Sequence, residues 1–366
     1  MISQSYNHYV CALLMGLAVC SCGQKASLET DGTETIEQSV ATAKRLTITH
    51  DSIVKRAEVR IDGDLFTAYI YPKSIAKPVL FPIRTASGRT LTRAFPLESK
   101  PGERVDHPHH VGHWLNYGDV NGLDFWNNSQ AIPEEKRGKY GTIYHSEIIE
   151  MSDGDEQGTL EVTARWTTPA ATTLLNESTT FVFGFSGDTR SIERTTTLTA
   201  TDHDVAFEDN KEGMIALRVT RAMELPTDKP AIFTDAQGNP TEVEAMNNEG
   251  VNGNYLSSEG LEGNDVWGTR AKWVMLYSQI EGDPVAIVIL DHPDNVGYPT
   301  YWHARDYGLF SANPLGQKIF SDGKDELHFK LKAGESVTFK YKILVHSGSE
   351  LSKDVLENEF NNFSKK

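Results

Sequence analysis

Four of the chain's 12 histidines fall within seven residues, in Asp106-His107-Pro108-His109-His110-Val111-Gly112-His113-Trp114. Imidazoles crowded beside a carboxylate equip a protein for general acid–base chemistry or for metal ligation, because imidazole changes charge near neutrality. Pro108 disfavours the helical region at His107, so the segment is expected to be extended. An extended chain puts His107, His109 and His113 on one face and His110 and Trp114 on the other. One buried histidine is easily explained as the shaper of a turn. Four are not, and two of them are expected to be structural.

A second segment, Pro299-Thr300-Tyr301-Trp302-His303-Ala304-Arg305-Asp306-Tyr307-Gly308-Leu309-Phe310, carries no aliphatic residue at alternate positions 301, 303, 305 and 307. Read as a strand, it aims Tyr301, His303, Arg305 and Tyr307 the same way. An acid/base, a permanent cation and two phenols suit the wall of a pocket for a polar, anionic ligand, since arginine offers a planar fork to a carboxylate. The alternative is a polar ladder on a solvated sheet face.

Other segments are less specific. In Asn116–Asn127 the density of Asn, Asp and Gly predicts tight turns through Asp119, Asn121 and Gly122. Trp126 offers there either a flat face for a sugar ring or a piece of core. Alternation puts Glu212 and Arg218 on one face of the strand that includes Met214–Val219, as a site or as a surface ion pair. Trp267-Gly268-Thr269-Arg270 sets another aromatic beside a cation. His145 reads as a packed histidine, and Asp291-His292-Pro293-Asp294 as a strand-end turn.

The elements that position these residues read as strands. Short β-branched and aromatic runs such as TLEVTARW (159–166), TTFVFGF (179–185) and SVTFKYKILV (336–345) alternate with period two. Asp62-Gly63 between two such runs predicts a hairpin turn. The expected fold is all-β, one large sandwich over 45–346, followed by a short C-terminal helix in 347–366. Ser349 would cap that helix, with Leu351, Val355, Leu356, Phe360 and Phe363 on one stripe. No fixed-period repeat, glycine-rich phosphate loop or cysteine metal signature is present.

Lys and Arg number 35 against 51 Asp and Glu, a net charge of −16 that argues against nucleic acid as a partner. All three cysteines, Cys11, Cys20 and Cys22, lie in the first 22 residues, so the remainder can form no internal disulfide. Val10–Val19 is an apolar run of signal-peptide length, too short to span a bilayer. Ser21-Cys22 after it predicts a lipoprotein signal peptide over 1–21, lipidation at Cys22 and a flexible polar tether over 22–44, although Met1–Tyr9 lacks Lys and Arg. The expected product is an exported lipoprotein, periplasmic or outer-membrane associated, touching membrane through the lipid anchor only.

The segments DHPHHVGHWLNYGDVNGLDFWNN (106–128), DNKEGMIALRV (209–219), WGTRAKWV (267–274) and PTYWHARDYGLFSANPLG (299–316) together resemble a bacterial family labelled methane oxygenase PmoA-like or domain of unknown function. The resemblance covers Arg45 to His346. His113 departs from its pattern, and the absence of a transmembrane helix sets aside the oxygenase chemistry of the label. The resemblance implies a galactose-mutarotase-like supersandwich in a polysaccharide-degradation system of Bacteroidota. It implies a carbon–oxygen lyase, a dehydratase that removes water across C4–C5 of the non-reducing-end uronic acid of ulvan-type oligosaccharides.

That reaction needs the carboxylate neutralised, H5 removed and the 4-OH protonated. Arg305 suits the first task, His109 or His303 the second, and Tyr301 or Tyr307 the third, with His107 orienting a neighbour or binding a metal. His110, Glu212, Arg218, Trp126 and Trp267 are the remaining candidate substrate contacts. No motif compels a cofactor, and His107 and His109 with another His or Asp could hold a divalent ion. Two other readings stand beside this one. A glycoside hydrolase or mutarotase-like epimerase would draw on Glu212, Asp119 and Asp306, and a non-catalytic surface glycan-binding lipoprotein would rely on Trp126 and Trp267.

Overall fold

The computed structural model describes residues 44–245 and 247–366. The signal peptide, Cys22 and all of the tether but its last residue lie outside the described residues.

Period-two burial runs along the long strands as their sequences predict. Thr189–Ala200 alternates between buried and half-buried positions with a single exposed exception, and Gln157–Thr167 does nearly the same. Such strands present one apolar face, which a second sheet must cover. Two eight-stranded antiparallel sheets result. From edge to edge the first runs Leu46–Asp51, Arg56–Ile61, Asp64–Ile70, Val79–Ile83, His113–Tyr117, Gly213–Arg218, Leu309–Asn313 and Tyr301–Ala304. The second runs Asn254–Ser257, Trp273–Ile280, Asp283–Asp291, Ser336–Ser347, Thr189–Ala200, Thr173–Ser186, Gln157–Thr167 and Thr142–Ser152. The fold is thus an all-β sandwich. Asp62 and Gly63 form the expected hairpin turn, both at positive φ (52° and 86°), the type I′ geometry that suits strand twist.

Between the sheets lies one core that includes Val59, Phe66, Ile83 and Leu115 from the first and Leu160, Phe183, Ile192 and Ile343 from the second. Phe66 and Phe183 meet edge-on at 6.3 Å. The outer face of the second sheet is covered by a C-terminal helix, Lys353–Phe363, whose Leu356, Phe360 and Phe363 pack on Trp273, Met275, Val288 and Leu344. Its cap is Ser352, which accepts from the Val355 N–H, and not Ser349, which bonds His346 instead. Val355 is exposed, so the apolar stripe is narrower than the sequence suggests. Ser352→Ala is expected to cost about 1 kcal/mol of stability in a denaturant titration, the usual worth of such a cap.

The outer face of the first sheet is different. Its central strands are buried on both faces, and a smaller apolar cluster of Phe81, Val111, Trp114, Trp126 and Leu309 fills the space outside them. Gly112 lets the histidine segment lie against this face: its φ is +56°, and a Cβ there would run into the Leu80 carbonyl. Among the described residues no helix is long and apolar enough to cross a membrane.

Candidate active site

The segment 106–112 is not extended. It winds round the guanidinium of Arg93, which donates Nη1 to the Asp106 carbonyl (2.8 Å) and Nη2 to the carbonyls of His107 (2.9 Å) and His110 (3.1 Å). His107 takes a positive φ of 45° to follow this path. The histidines therefore sort differently from the expectation. His113 starts the strand and turns inward, its Nδ1 3.0 Å from the Ala216 carbonyl. His110, expected opposite His107, stacks on it at 4.9 Å with 5° between the planes.

Asp106 is the hub. Its Oδ1 accepts from Arg93 Nη1 and Arg218 Nη2, both at 2.6 Å, and its Oδ2 lies 2.9 Å from His107 Nδ1. Burial works to raise this carboxyl, but the His107 hydrogen bond and the two arginines outweigh it and hold the group well below the usual carboxylate range. An ionised Asp106 can only accept, so His107 presents Nδ1–H to it and turns Nε2 away from it. The His107 side chain is 41% exposed, enough for Nε2 to meet a ligand.

Tyr307 closes the stack from the other side, 5.1 Å from His107 and again 5° from parallel. Burial pushes its hydroxyl up to about 12 against the pull of Arg218 and Arg305, so it remains a neutral donor. The 299–310 segment reaches this point as a hairpin and not as one strand: Tyr301–Ala304 pairs with Leu309–Asn313, and Arg305 and Tyr307 sit in the turn between them. Arg305 lies over Tyr307 (5.5 Å) and Trp267 (6.0 Å), and among the described residues its guanidinium forms no ion pair. Trp267 is 39% exposed.

His303 sits on the edge strand with Nδ1 3.0 Å from the Lys211 carbonyl and 3.8 Å from Glu212 Oε2. A carbonyl only accepts, so Nδ1 carries the proton and Nε2 is the basic atom. Burial, then the cations Lys211 and Arg305, hold this imidazole down to about 3, so it is neutral at working pH. Glu212 also pairs with Lys211. Tyr301 is packed between Phe320 (5.4 Å, stacked) and Arg270 (5.1 Å over its ring). Phe320, from a short helical turn, also touches Trp267 and His303 edge-on.

Three expected substrate contacts are closed off. Trp126 is 1% exposed, packed on Trp114 at 5.3 Å and against the edge of His110 at 5.7 Å, so it has no open face for a sugar. His110 is 1% exposed and Arg218 is fully buried, with Arg218 Nη1 3.2 Å from His110 Nδ1 and Nη2 on Asp106. These residues support the stack from beneath. His109, expected as a base, lines a separate cavity beside Lys77, and burial and that lysine pull its imidazole down to about 2. Among the described residues no three His, Cys, Asp or Glu side chains are grouped to hold a metal ion. Sequence reading missed Arg93, Lys211 and Phe320 and gave Asp106 no task. Only Asp106 carried a signal, its place immediately before His107.

His107, His303, Tyr307, Arg305, Glu212 and Trp267 thus gather at one edge of the first sheet, with His107 and Trp267 the more exposed of them. Two oriented imidazoles, a neutral phenol and a guanidinium without an ion partner can abstract a proton beside a carboxylate and protonate a leaving group.

Residues 56–361 match a family of unknown function (DUF6807). No curated protein matches the chain. Among solved structures it is similar to the galactosidase domain of the alpha-galactosidase-sucrose kinase AgaSK, with 11% identity and a TM-score of 0.40 over 84% of this chain and 42% of that one. It is similar to the GH36 alpha-galactosidase AgaA from Geobacillus stearothermophilus, with 10% identity and a TM-score of 0.34 over 83% and 41%. It is also similar to a galactose mutarotase related enzyme from Lactobacillus acidophilus, with 8% identity and a TM-score of 0.31 over 83% and 98%. The chain spans about two-fifths of the length of the two galactosidase structures.

Proposed function

The chain belongs to the family of unknown function DUF6807, and we propose that it is a carbohydrate-active dehydratase for oligosaccharides ending in a uronic acid. It would remove water across C4–C5 of the non-reducing-end uronate, as the resemblance of its motifs to an ulvan-oligosaccharide dehydratase implies. The observation that carries this reading is the unpaired Arg305 set beside an imidazole whose tautomer is fixed by a backbone carbonyl, His303 on Lys211.

In this reading Arg305 takes the uronate carboxylate in its fork and offsets the charge that develops as H5 leaves. His303 Nε2 accepts H5. The C4–O bond breaks as the C4=C5 bond forms, and the Tyr307 hydroxyl gives its proton to the departing oxygen, releasing water. His303 is then left with the proton from C5 and the Tyr307 oxygen without one; His107, oriented by Asp106, accepts that proton on Nε2 and passes it to Tyr307, which restores all three groups. His303 thus replaces His109 as base, and Tyr307 is favoured over the packed Tyr301 as acid.

Hydrolysis fits less well, because a hydrolase of the usual kind needs two opposed carboxyl groups. Asp106 is engaged with two arginines, Asp306 with Lys229, and Asp119 with the Gly122 N–H of its turn, which leaves Glu212. We further propose, from the sequence, that Cys22 is lipidated and that the protein is exported. Mass spectrometry of the mature N-terminus tests that point.

Incubation with defined uronyl-ended oligosaccharides is expected to give ultraviolet absorbance of a conjugated enol carboxylate and a mass loss of one water, with no new reducing end. A new reducing end without absorbance would overturn the reading. Arg305→Ala should raise KM about 10–100-fold, the worth of a charge-assisted pair. It should leave the melting temperature unchanged, since Arg305 has no protein ion partner to strand.

A further inference from the structure

A cavity of about 390 Å³ lies against the histidine loop, apart from the site proposed for the dehydration. Phe95, Leu97, Pro108 and Val111 give it apolar walls, and Lys77 and His109 line it, whereas His107, His303, Arg305 and Tyr307 do not. Lys77 is 3% exposed. An ammonium has three N–H donors, yet Nζ finds one protein acceptor, the His109 carbonyl at 2.7 Å, with the Trp114 ring 5.1 Å away.

No carboxylate answers its charge directly. The acid that acts on Lys77 is Asp124, whose Oδ1 already accepts from the N–H groups of Trp126 and Asn127 and whose Oδ2 accepts from Asn127 Nδ2. Burial accordingly pulls the amine down to about 7 against the opposing pull of Asp124. The polar residues further along the wall are engaged as well: Asn128 Nδ2 donates to the Gly141 carbonyl and Gln130 Nε2 to that of Lys73. A buried amine with spare donors on a cavity can take its counter-charge from a ligand, because a charge is stable out of water only when matched.

We propose that this cavity binds a small organic carboxylate, whose oxygens accept from Lys77 Nζ and whose apolar body lies against Phe95, Leu97 and Val111. One cation answers one negative charge, and the apolar walls favour a carboxylate with a hydrophobic body over free phosphate or sulfate. This cavity site stands whether or not the residues around Arg305 eliminate water.

Benzoate is a suitable probe. Calorimetric titration of the full chain at about pH 6 is expected to show saturable binding, weakening by up to about tenfold per pH unit above neutrality. The sign follows from linkage: benzoate binds the ammonium form, and that form disappears from the free protein as the pH passes the lowered value of Lys77. The groups facing Lys77 are Asp124 and His109, with His107, Arg93 and Arg218 acting on His109 in turn, and His109 stays neutral throughout this range. Lys77→Met should weaken binding at least about tenfold, while Arg305→Ala should leave it intact.

Absent binding, a flat pH profile, equal binding to Lys77→Met, or loss in Arg305→Ala instead would each overturn the proposal. If Lys77→Met does not fold, the pH profile and Arg305→Ala still decide.

Discussion

His303→Gln is expected to lower turnover of uronyl-ended oligosaccharides by about 100- to 10,000-fold, the usual contribution of a positioned general base. Glutamine keeps a donor that can face the Lys211 carbonyl but carries no basic nitrogen where Nε2 stood. KM and the melting temperature should therefore change little while kcat falls. The pH profile tests the same assignment. With His303 held down to about 3, chiefly by burial, its basic form persists from mildly acid to alkaline pH, so kcat should not fall through the range where an ordinary histidine becomes protonated. A carboxylate bound on Arg305 offsets one of the cations that lower His303, which strengthens the base when substrate is present. Undiminished turnover in His303→Gln would end the proposal.

Asp106→Asn is expected to cost about 3–5 kcal/mol of unfolding free energy, because it removes the one carboxylate that bonds both buried guanidinium groups. Arg93 and Arg218 are both buried, and both donate to the same carboxylate oxygen. The amide of the variant would also present N–H to a donor and leave the His107 tautomer unfixed, so activity should fall with stability. Native Asp106 carries the matching pH signature. Its carboxyl is depressed on folding, so its stabilisation is complete above the ordinary aspartate value and is lost as the pH falls from there toward the lowered one. Denaturant titrations of both proteins at neutral and acid pH give the comparison, and a loss below about 1 kcal/mol would show that other groups compensate the arginines.

The strands were legible because alternation is a local signal, whereas the wall expected of Tyr301, His303, Arg305 and Tyr307 is a hairpin with Arg305 and Tyr307 in its turn and Tyr301 packed against Phe320. The path of the histidine segment was not legible either. Pro108 argued for an extended chain, yet the carbonyls of residues 106, 107 and 110 converge on Arg93, which lies outside the motif and has no pattern around it. That one guanidinium decides which histidines share a face. Trp126 failed as a sugar platform for a similar reason: exposure depends on what the fold lays over a residue, and here Trp114 and His110 lie against it. The net charge of −16 gave no hint that Arg305 stands without an ion partner or that Lys77 is buried on a cavity.

The grip of Arg93 has an engineering consequence. It holds the loop by main-chain oxygens of Arg104, Asp106, His107 and His110, together with the Asp106 carboxylate. The side chains of Pro108 and His109 take no part in that clamp and instead line the cavity beside Lys77. Residues 108 and 109 are therefore positions at which a library could reshape the rear cavity while the orientation of His107 is preserved. The cavity wall and the clamp that orients His107 draw on different atoms of one loop.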